Sequence, residues 1–143
     1  LQDKGSPFLM KLEYLFVDKF RIHFVMKYIR PGSLLYVLKN QPDKRLPEIA
    51  VKCIAAQLVL AIEYLQGLDI AYCDLKPANV LIQNNGYILL ADFGLCKLHR
   101  DSLLKSASGT DCYKAPEMID YEKGYDKCVD WWALGVLCYE LAF

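Results

Sequence analysis

A chain of 143 residues is the size of one domain and long enough to bury an apolar core, and 55% apolar residues with ten tyrosines exclude a disordered chain. Seventeen basic residues balance seventeen acidic ones, which excludes a net field drawing the chain to nucleic acid or to an anionic membrane. The six cysteines (Cys53, Cys73, Cys96, Cys112, Cys128, Cys138) show no C-x-x-C spacing. Cys53, Cys96, Cys128 and Cys138 lie in apolar or element-like segments, so buried free thiols in a reducing compartment, cytoplasmic or nuclear, are expected. His23 and His99 have no cysteine at ligand spacing, and no zinc site is expected.

The start, LQDKGSPF, lacks an apolar region behind a basic one and does not read as a signal peptide. Phe8 to Phe16 and Arg21 to Ile29 are rich in β-branched and aromatic residues, and the Val17-Asp18-Lys19 between them predicts a hairpin turn. Pro31-Gly32-Ser33 breaks the second strand, and Ser33 is placed to cap a short helix ending at Lys39. From Leu46 to Leu68 the period changes: Ile54, Leu58, Ala61 and Leu65 recur at three and four, with Val51 and Ile62 on the same face. That predicts a long, mostly buried helix with Gly67 as its stop.

Short apolar runs follow at Ile70–Tyr72, Val80–Ile82 and Ile88–Ala91, the last two joined by an Asn84-Asn85-Gly86 turn. A polar stretch from His99 to Tyr113 predicts a long exposed loop, and a final helix is expected from about Lys127 to the end. The apolar run from Val129 to Phe143 is too short, and with Asp130 and Glu140 too charged, to span a bilayer. It ends within what should be a core-facing helix, so the chain is expected to be part of a larger domain. The order of elements is α+β with a mostly helical body.

Between two short strands stands Asp74-Leu75-Lys76-Pro77-Ala78-Asn79; Asp92-Phe93-Gly94 follows, and after the polar loop Ala115-Pro116-Glu117. Phosphoryl transfer needs a carboxylate to orient the attacking hydroxyl and take its proton. It also needs oxygen ligands for Mg²⁺ and a cation to offset charge on the moving group. Asp74, then Asn79 with Asp92, and Lys76 supply these parts in turn.

Together with Asp130-x-Trp132-x-x-Gly135, these blocks stand in the order of the protein-kinase signature, and the chain resembles that family over its whole length. Lys76-Pro77 resembles the serine/threonine branch. Phe93-Gly94-Leu95-Cys96-Lys97 and the Trp131-Trp132 pair resemble the AGC group. The resemblance implies a partial kinase-like fold: residues 1–28 as the end of the small lobe with two strands, and 29–143 as the large lobe up to its central helix. It implies ATP and Mg²⁺ as cofactors, protein substrates, and transfer of the γ-phosphoryl group to serine or threonine, with no nucleic acid and no membrane segment.

Carried over by position, Met26 resembles the gatekeeper, Lys27 and Tyr28 the hinge, Ser33 a ribose neighbour, and Leu81 the floor under adenine. Tyr72 and Phe93 would stack in the hydrophobic spine with Leu12 at its end, and Asp130 would anchor the backbone of the catalytic loop. Ser106 matches the position of an activating phosphorylation, Thr110 the threonine contacting the catalytic Asp and Lys, and Glu117 an ion-paired glutamate whose usual arginine partner is not in the chain.

The departures are informative. Cys73 stands where relatives carry an arginine that pairs with the loop phosphate, which a thiol cannot do. Its neighbour Asp74 disfavours a thiolate, which argues against a redox role. Ser33 and Ala78 replace acidic substrate-facing residues, Glu140 is kept, and Asp111 and Lys114 replace a proline and a leucine, which works against a greasy pocket there. These 143 residues contain no Gly-rich loop and no strand lysine for the phosphates, so they are expected to be inactive alone. The competing reading is a pseudokinase acting as a nucleotide-binding or scaffold module. It draws on Cys73 and the altered peptide-binding loop, and the presence of Asp74, Lys76, Asn79 and Asp92 weighs against it.

Overall fold

The computed structural model describes residues 5–99, 102–120 and 122–143. The first four residues and part of the expected long loop, Arg100 and Asp101, lie outside that range. Strands β1 (Leu12–Val17) and β2 (Ile22–Met26) form an antiparallel hairpin in which Val17 faces Ile22 and Leu12 faces Met26. The turn lies one residue later than expected, because Asp18 builds it: its Oδ1 accepts the N–H groups of Phe20 at 2.7 Å and Arg21 at 2.8 Å. Val17 is thereby released into the strand.

Phe8 to Met10 leaves the hairpin and runs parallel to a strand of the body. Met10 donates its N–H to the Leu90 carbonyl at 2.8 Å, and Leu90 donates to Phe8 at 2.7 Å. Pairing there satisfies the outer edge of that body strand, which the local sequence pattern did not reveal. Leu12, Leu15, Phe16 and Phe24 are exposed, so among the described residues no apolar layer covers the hairpin.

Strand β3 (Gly32–Ser33) leads into helix α1 (Leu34–Lys39), whose first turn is capped by the Ser33 hydroxyl accepting the Tyr36 N–H at 3.3 Å. Helix α2 (Glu48–Gly67) buries Val51, Ile54, Leu58, Ala61, Ile62 and Leu65, the face that its periodicity predicts. Gly67 is the last helical residue, not the stop. The chain turns off at Asp69, which takes the left-handed conformation with φ 58°. Asp69 also fixes the next contact, since its Oδ1 meets Lys127 Nζ at 3.1 Å while Lys127 Nζ reaches the Gln66 carbonyl at 2.8 Å. A lysine on the last carbonyls of a helix also suits the helix dipole.

Strands β4 (Ile70–Ala71), β5 (Val80–Ile82), β6 (Ile88–Leu90) and β7 (Lys97–Leu98) pair antiparallel as β3-β5-β6 and β4-β7. The short helix α3 (Pro116–Ile119) precedes α4 (Val129–Ala142), which starts two residues later than expected. Leu134, Leu137 and Leu141 of α4 close the main core against α2. The α+β expectation with a mainly helical body is borne out.

Two expectations need correction. The polar stretch between His99 and Tyr113 is not simply exposed: Leu104 and Tyr125 exchange backbone hydrogen bonds at 2.8 and 3.0 Å, and Asp111–Tyr113 forms a 3-10 turn. Gly124 allows that approach, because a Cβ there would stand 2.6 Å from Leu103 Cβ. The thiols are all free, yet only Cys73 is buried; Cys53, Cys112 and Cys128 are exposed. Cys53 lies off the apolar face of α2, and Cys128 precedes the packed turn of α4. Among the described residues no helix is long and apolar enough to cross a membrane.

Candidate active site

Strands β4 and β7 bracket two loops, Tyr72–Asn79 and Ala91–Cys96, so their pairing brings Asp74 and Asp92 to the same side of the body. The first loop is pinned from below by Asp130 of α4. Its Oδ2 accepts the Tyr72 N–H and its Oδ1 the Cys73 N–H, both at 2.8 Å. Burial pushes the Asp130 carboxyl above the usual aspartate range, and the two backbone donors work against that rise. Cys73 is left-handed at φ 66°, which turns the chain sharply just before Asp74.

Asp74 is the centre of a hydrogen-bonded cluster. Lys76 Nζ donates to its Oδ2 at 2.8 Å, and Asn79 Nδ2 donates to the same oxygen and to the Asp74 carbonyl, each at 2.9 Å. Thr110 Oγ1 donates to Asp74 Oδ1 at 2.6 Å and accepts from Lys76 Nζ at 2.8 Å. Burial alone would raise the Asp74 carboxyl; the Lys76, Thr110 and Asn79 donors outweigh it and hold it below the ordinary range. Asp74 is therefore ionised at neutral pH. A carboxylate offers about four lone-pair sites, and three donors occupy Asp74, which leaves one acceptor site for an incoming hydroxyl.

Asp92 is held in a left-handed turn at φ 56°, with its Oδ1 accepting the Gly94 N–H at 3.2 Å. A Cβ on Gly94 would sit 3.1 Å from that oxygen, so a larger residue there would press on the Asp92 carboxylate. The Ala91 N–H bonds the Asn79 carbonyl at 2.9 Å, tying the Asp92 turn to the Asp74 loop. Tyr72 also bridges the two, its buried phenol donating to the Ala91 carbonyl. Its ring meets Phe93 edge-on at 5.8 Å and 83°, a T-shaped contact where stacking is expected.

Met26, Lys27, Tyr28, Leu81 and Asp92 line one open cleft between the hairpin and the body, together with Met10, Phe24 and Ile29. An inner cavity of about 480 Å³ extends from it, walled by Leu12, Phe24, Met26 and Phe93. Leu12 itself is half exposed and reaches Phe93 only across that cavity. Ser33 does not line the cleft; Gly32 does, and the Ser33 hydroxyl is engaged by Tyr36. Phe24 and Met10 are cleft residues that the sequence reading missed. Phe24 was within reach, two positions before Met26 on the same strand face; Met10 comes in only through its pairing beside β6.

In the following segment, Tyr125 donates its hydroxyl to the Ser106 carbonyl at 3.0 Å, and the hydroxyls of Ser106 and Ser108 are bonded to each other. Tyr125, Cys73, Met118 and Val129 share a second buried cluster. Burial first, then the charge of Asp130, push the Cys73 thiol up to about 12, with Lys97 and Tyr125 acting the other way. Glu117 is exposed, and no ion pair among the described residues includes it. Tyr113 donates to Glu140, and Lys114 Nζ pairs with Asp111 Oδ1 at 2.7 Å.

As for metal, the hard oxygen donors of Asp92 and the Asn79 amide suit Mg²⁺, which binds through one or two protein oxygens with substrate phosphates completing its shell. Asn79 fits because its nitrogen is spent on Asp74, leaving its oxygen as the acceptor end. No cluster of three His, Cys, Asp or Glu residues among the described ones offers an all-protein cage.

Comparison with known proteins gives a consistent answer. The family model described as protein kinase domain matches residues 1–143. The human serine/threonine-protein kinase Sgk1 is 39% identical over 145 residues, covering 100% of this chain and 33% of that protein. A RAC family serine/threonine-protein kinase homolog of Dictyostelium discoideum is 42% identical over 147 residues, covering 99% of the chain and 32% of that protein. The chain thus spans about a third of the length of the curated relatives it matches.

Proposed function

This chain belongs to the protein kinase domain family, and on that premise we propose that the protein carrying it transfers the γ-phosphoryl group of ATP to serine and threonine hydroxyls of protein substrates. The observation that carries the reading is the Asp74–Lys76–Thr110–Asn79 cluster. Residues 1–28 are read as the end of the small lobe and 29–143 as the beginning of the large lobe.

In this reading the adenine lies in the cleft over Leu81, against the backbone of Lys27 and Tyr28 and with Met26 at its inner end. The substrate hydroxyl donates to the remaining acceptor site of Asp74. As its oxygen forms a bond to the γ-phosphorus, the bond from phosphorus to the oxygen of ADP breaks, and the hydroxyl proton passes to Asp74. Since Lys76, Thr110 and Asn79 keep Asp74 a weak base, its first task is orientation, and proton transfer follows once the hydroxyl has become acidic. Lys76 places positive charge beside the transferring group. Asp92 and Asn79 would hold Mg²⁺, which supplies charge neutralisation on the phosphates when bound.

Regulation departs from a phosphate-paired loop. Cys73 offers no charge to a phosphate on Ser106, whereas the Leu104–Tyr125 bridge and the Tyr125 hydroxyl hold the segment by neutral contacts. Phosphorylation of Ser106 is therefore weakly coupled to activity. The 143 residues alone lack a Gly-rich loop and a phosphate-binding strand lysine, and by themselves they sustain no turnover. Incubating the intact protein with ATP, Mg²⁺ and a degenerate serine/threonine peptide mixture tests the reading; absence of phosphopeptide under all conditions would sink it.

A further inference from the structure

We propose that Lys114 is a specificity-determining residue that selects substrates with an aspartate or glutamate directly beside the phosphoacceptor; this rests on the kinase reading of the same site. Thr110 Oγ1 lies 2.6 Å from Asp74 Oδ1, the oxygen that keeps an acceptor site for the substrate hydroxyl. The 3-10 turn after Thr110, with the Tyr113 N–H on the Thr110 carbonyl at 2.9 Å, folds the chain back on itself. Lys114 returns beside Gly109: a Cβ on that glycine would stand 3.6 Å from Lys114 Cε and 2.8 Å from the Cys73 carbonyl. The lysine is therefore packed against the wall that carries Asp74. An extended peptide advances about 3.3 Å per residue, so the neighbour of an acceptor placed on Asp74 comes within reach of that wall.

Behind Lys114 the structure offers no room for a large apolar group: the interior void between Thr110, Tyr113 and Lys114 on one side and the buried Val129 and Asp130 on the other is about 10 Å³, the size of a single water. What the wall offers is charge. The Lys114 side chain is only 17% exposed, while its partner Asp111 is 93% exposed. A pair of that kind is held weakly against solvent, and a substrate carboxylate can replace Asp111 without stranding it. The other nearby carboxylate, Glu140, is occupied by the Tyr113 hydroxyl, and Glu117 is exposed on α3.

The test is a positional peptide scan with the intact protein, comparing Asp, Glu, Ala, Leu and Arg at each position flanking the acceptor. Wild type is expected to favour the acidic peptide over its alanine counterpart roughly fivefold in kcat/KM at one flanking position, the upper range for a partly exposed ion pair. Lys114→Met, which keeps the alkyl stem, should bring that ratio below about twofold, and Asp111→Asn, which frees the lysine, should raise it. A wild-type ratio of one or less, or a preference for leucine there, overturns the proposal while leaving the kinase reading intact. So does an unchanged ratio in both variants. If wild type phosphorylates no peptide at all, the kinase reading fails and this inference falls with it.

Discussion

Asp130 Oδ1 and the Cys73 backbone N–H meet at 2.8 Å across 57 positions of sequence. That bond, with its twin to Tyr72, holds a non-glycine residue in a left-handed conformation directly before Asp74. Such a conformation costs on the order of 1–3 kcal/mol, and two hydrogen bonds to a buried carboxylate offset it. Asp130→Ala would leave both N–H groups unpaired in the core. The intact protein should lose about 2–4 kcal/mol by denaturant unfolding, and its kinase activity should fall more steeply than that of a surface variant such as Glu48→Ala.

The two aspartates give opposite pH dependence. Asp74 is depressed in the fold, so its contribution to stability is present above the ordinary value of 3.8 and is lost as pH falls through its folded value. Asp130 is raised, so its contribution is present below 3.8 and is lost as pH rises through its folded value. Unfolding midpoints measured across the acid range should therefore be less acid-sensitive in Asp74→Asn than in wild type. Equal acid sensitivity in the two proteins would mean that the Asp74 cluster is not formed in solution.

Thiol accessibility gives a direct check on packing. Cys73 is buried with its thiol near 12, so at neutral pH it is almost wholly protonated and shielded from reagents. Alkylation followed by peptide mass analysis should label Cys53 and Cys112 early and Cys73 only on unfolding. Rapid labelling of Cys73 in the folded protein would contradict the buried cluster with Tyr125.

Ser106 carries the regulatory prediction. Lys97 is close enough for its charge to act on the Cys73 thiol, so a phosphate on Ser106 is expected to gain at most a single cationic partner beside that loop. One such pair is worth about 1 kcal/mol. Stoichiometric phosphorylation of Ser106 should thus raise kcat/KM by less than tenfold. Tyr125→Phe, which removes the hydroxyl on the Ser106 carbonyl, should lower activity whether or not Ser106 is phosphorylated.

Much of the site was legible because Asp74, Lys76, Asn79 and Asp92 fall within short linear blocks whose spacing carries chemical meaning, and in the structure the first three meet directly. The buried face of α2 was legible for a similar reason, since helical periodicity is a local property. What was hidden depends on partners distant in sequence. Met10 enters the cleft through pairing with Leu90, and Tyr125 reaches Ser106 from beyond the loop. The left-handed backbone at Cys73 had no local signature, because it is imposed by Asp130. Cys53 was misread as buried although its position lies off the apolar face that Val51, Ile54 and Leu58 define.

On the proposed reading, the orientation of a substrate hydroxyl for phosphoryl transfer falls to Asp74, held by Lys76, Asn79 and Thr110. The most direct test of that role is transfer of label from γ-labelled ATP to serine and threonine peptides by the intact protein and by Asp74→Asn. Wild type should transfer label, and Asp74→Asn should lower kcat by about 10²–10⁴ with the KM for ATP little changed. Transfer by Asp74→Asn at the wild-type rate, or no transfer by wild type with ATP and Mg²⁺ present, would contradict it.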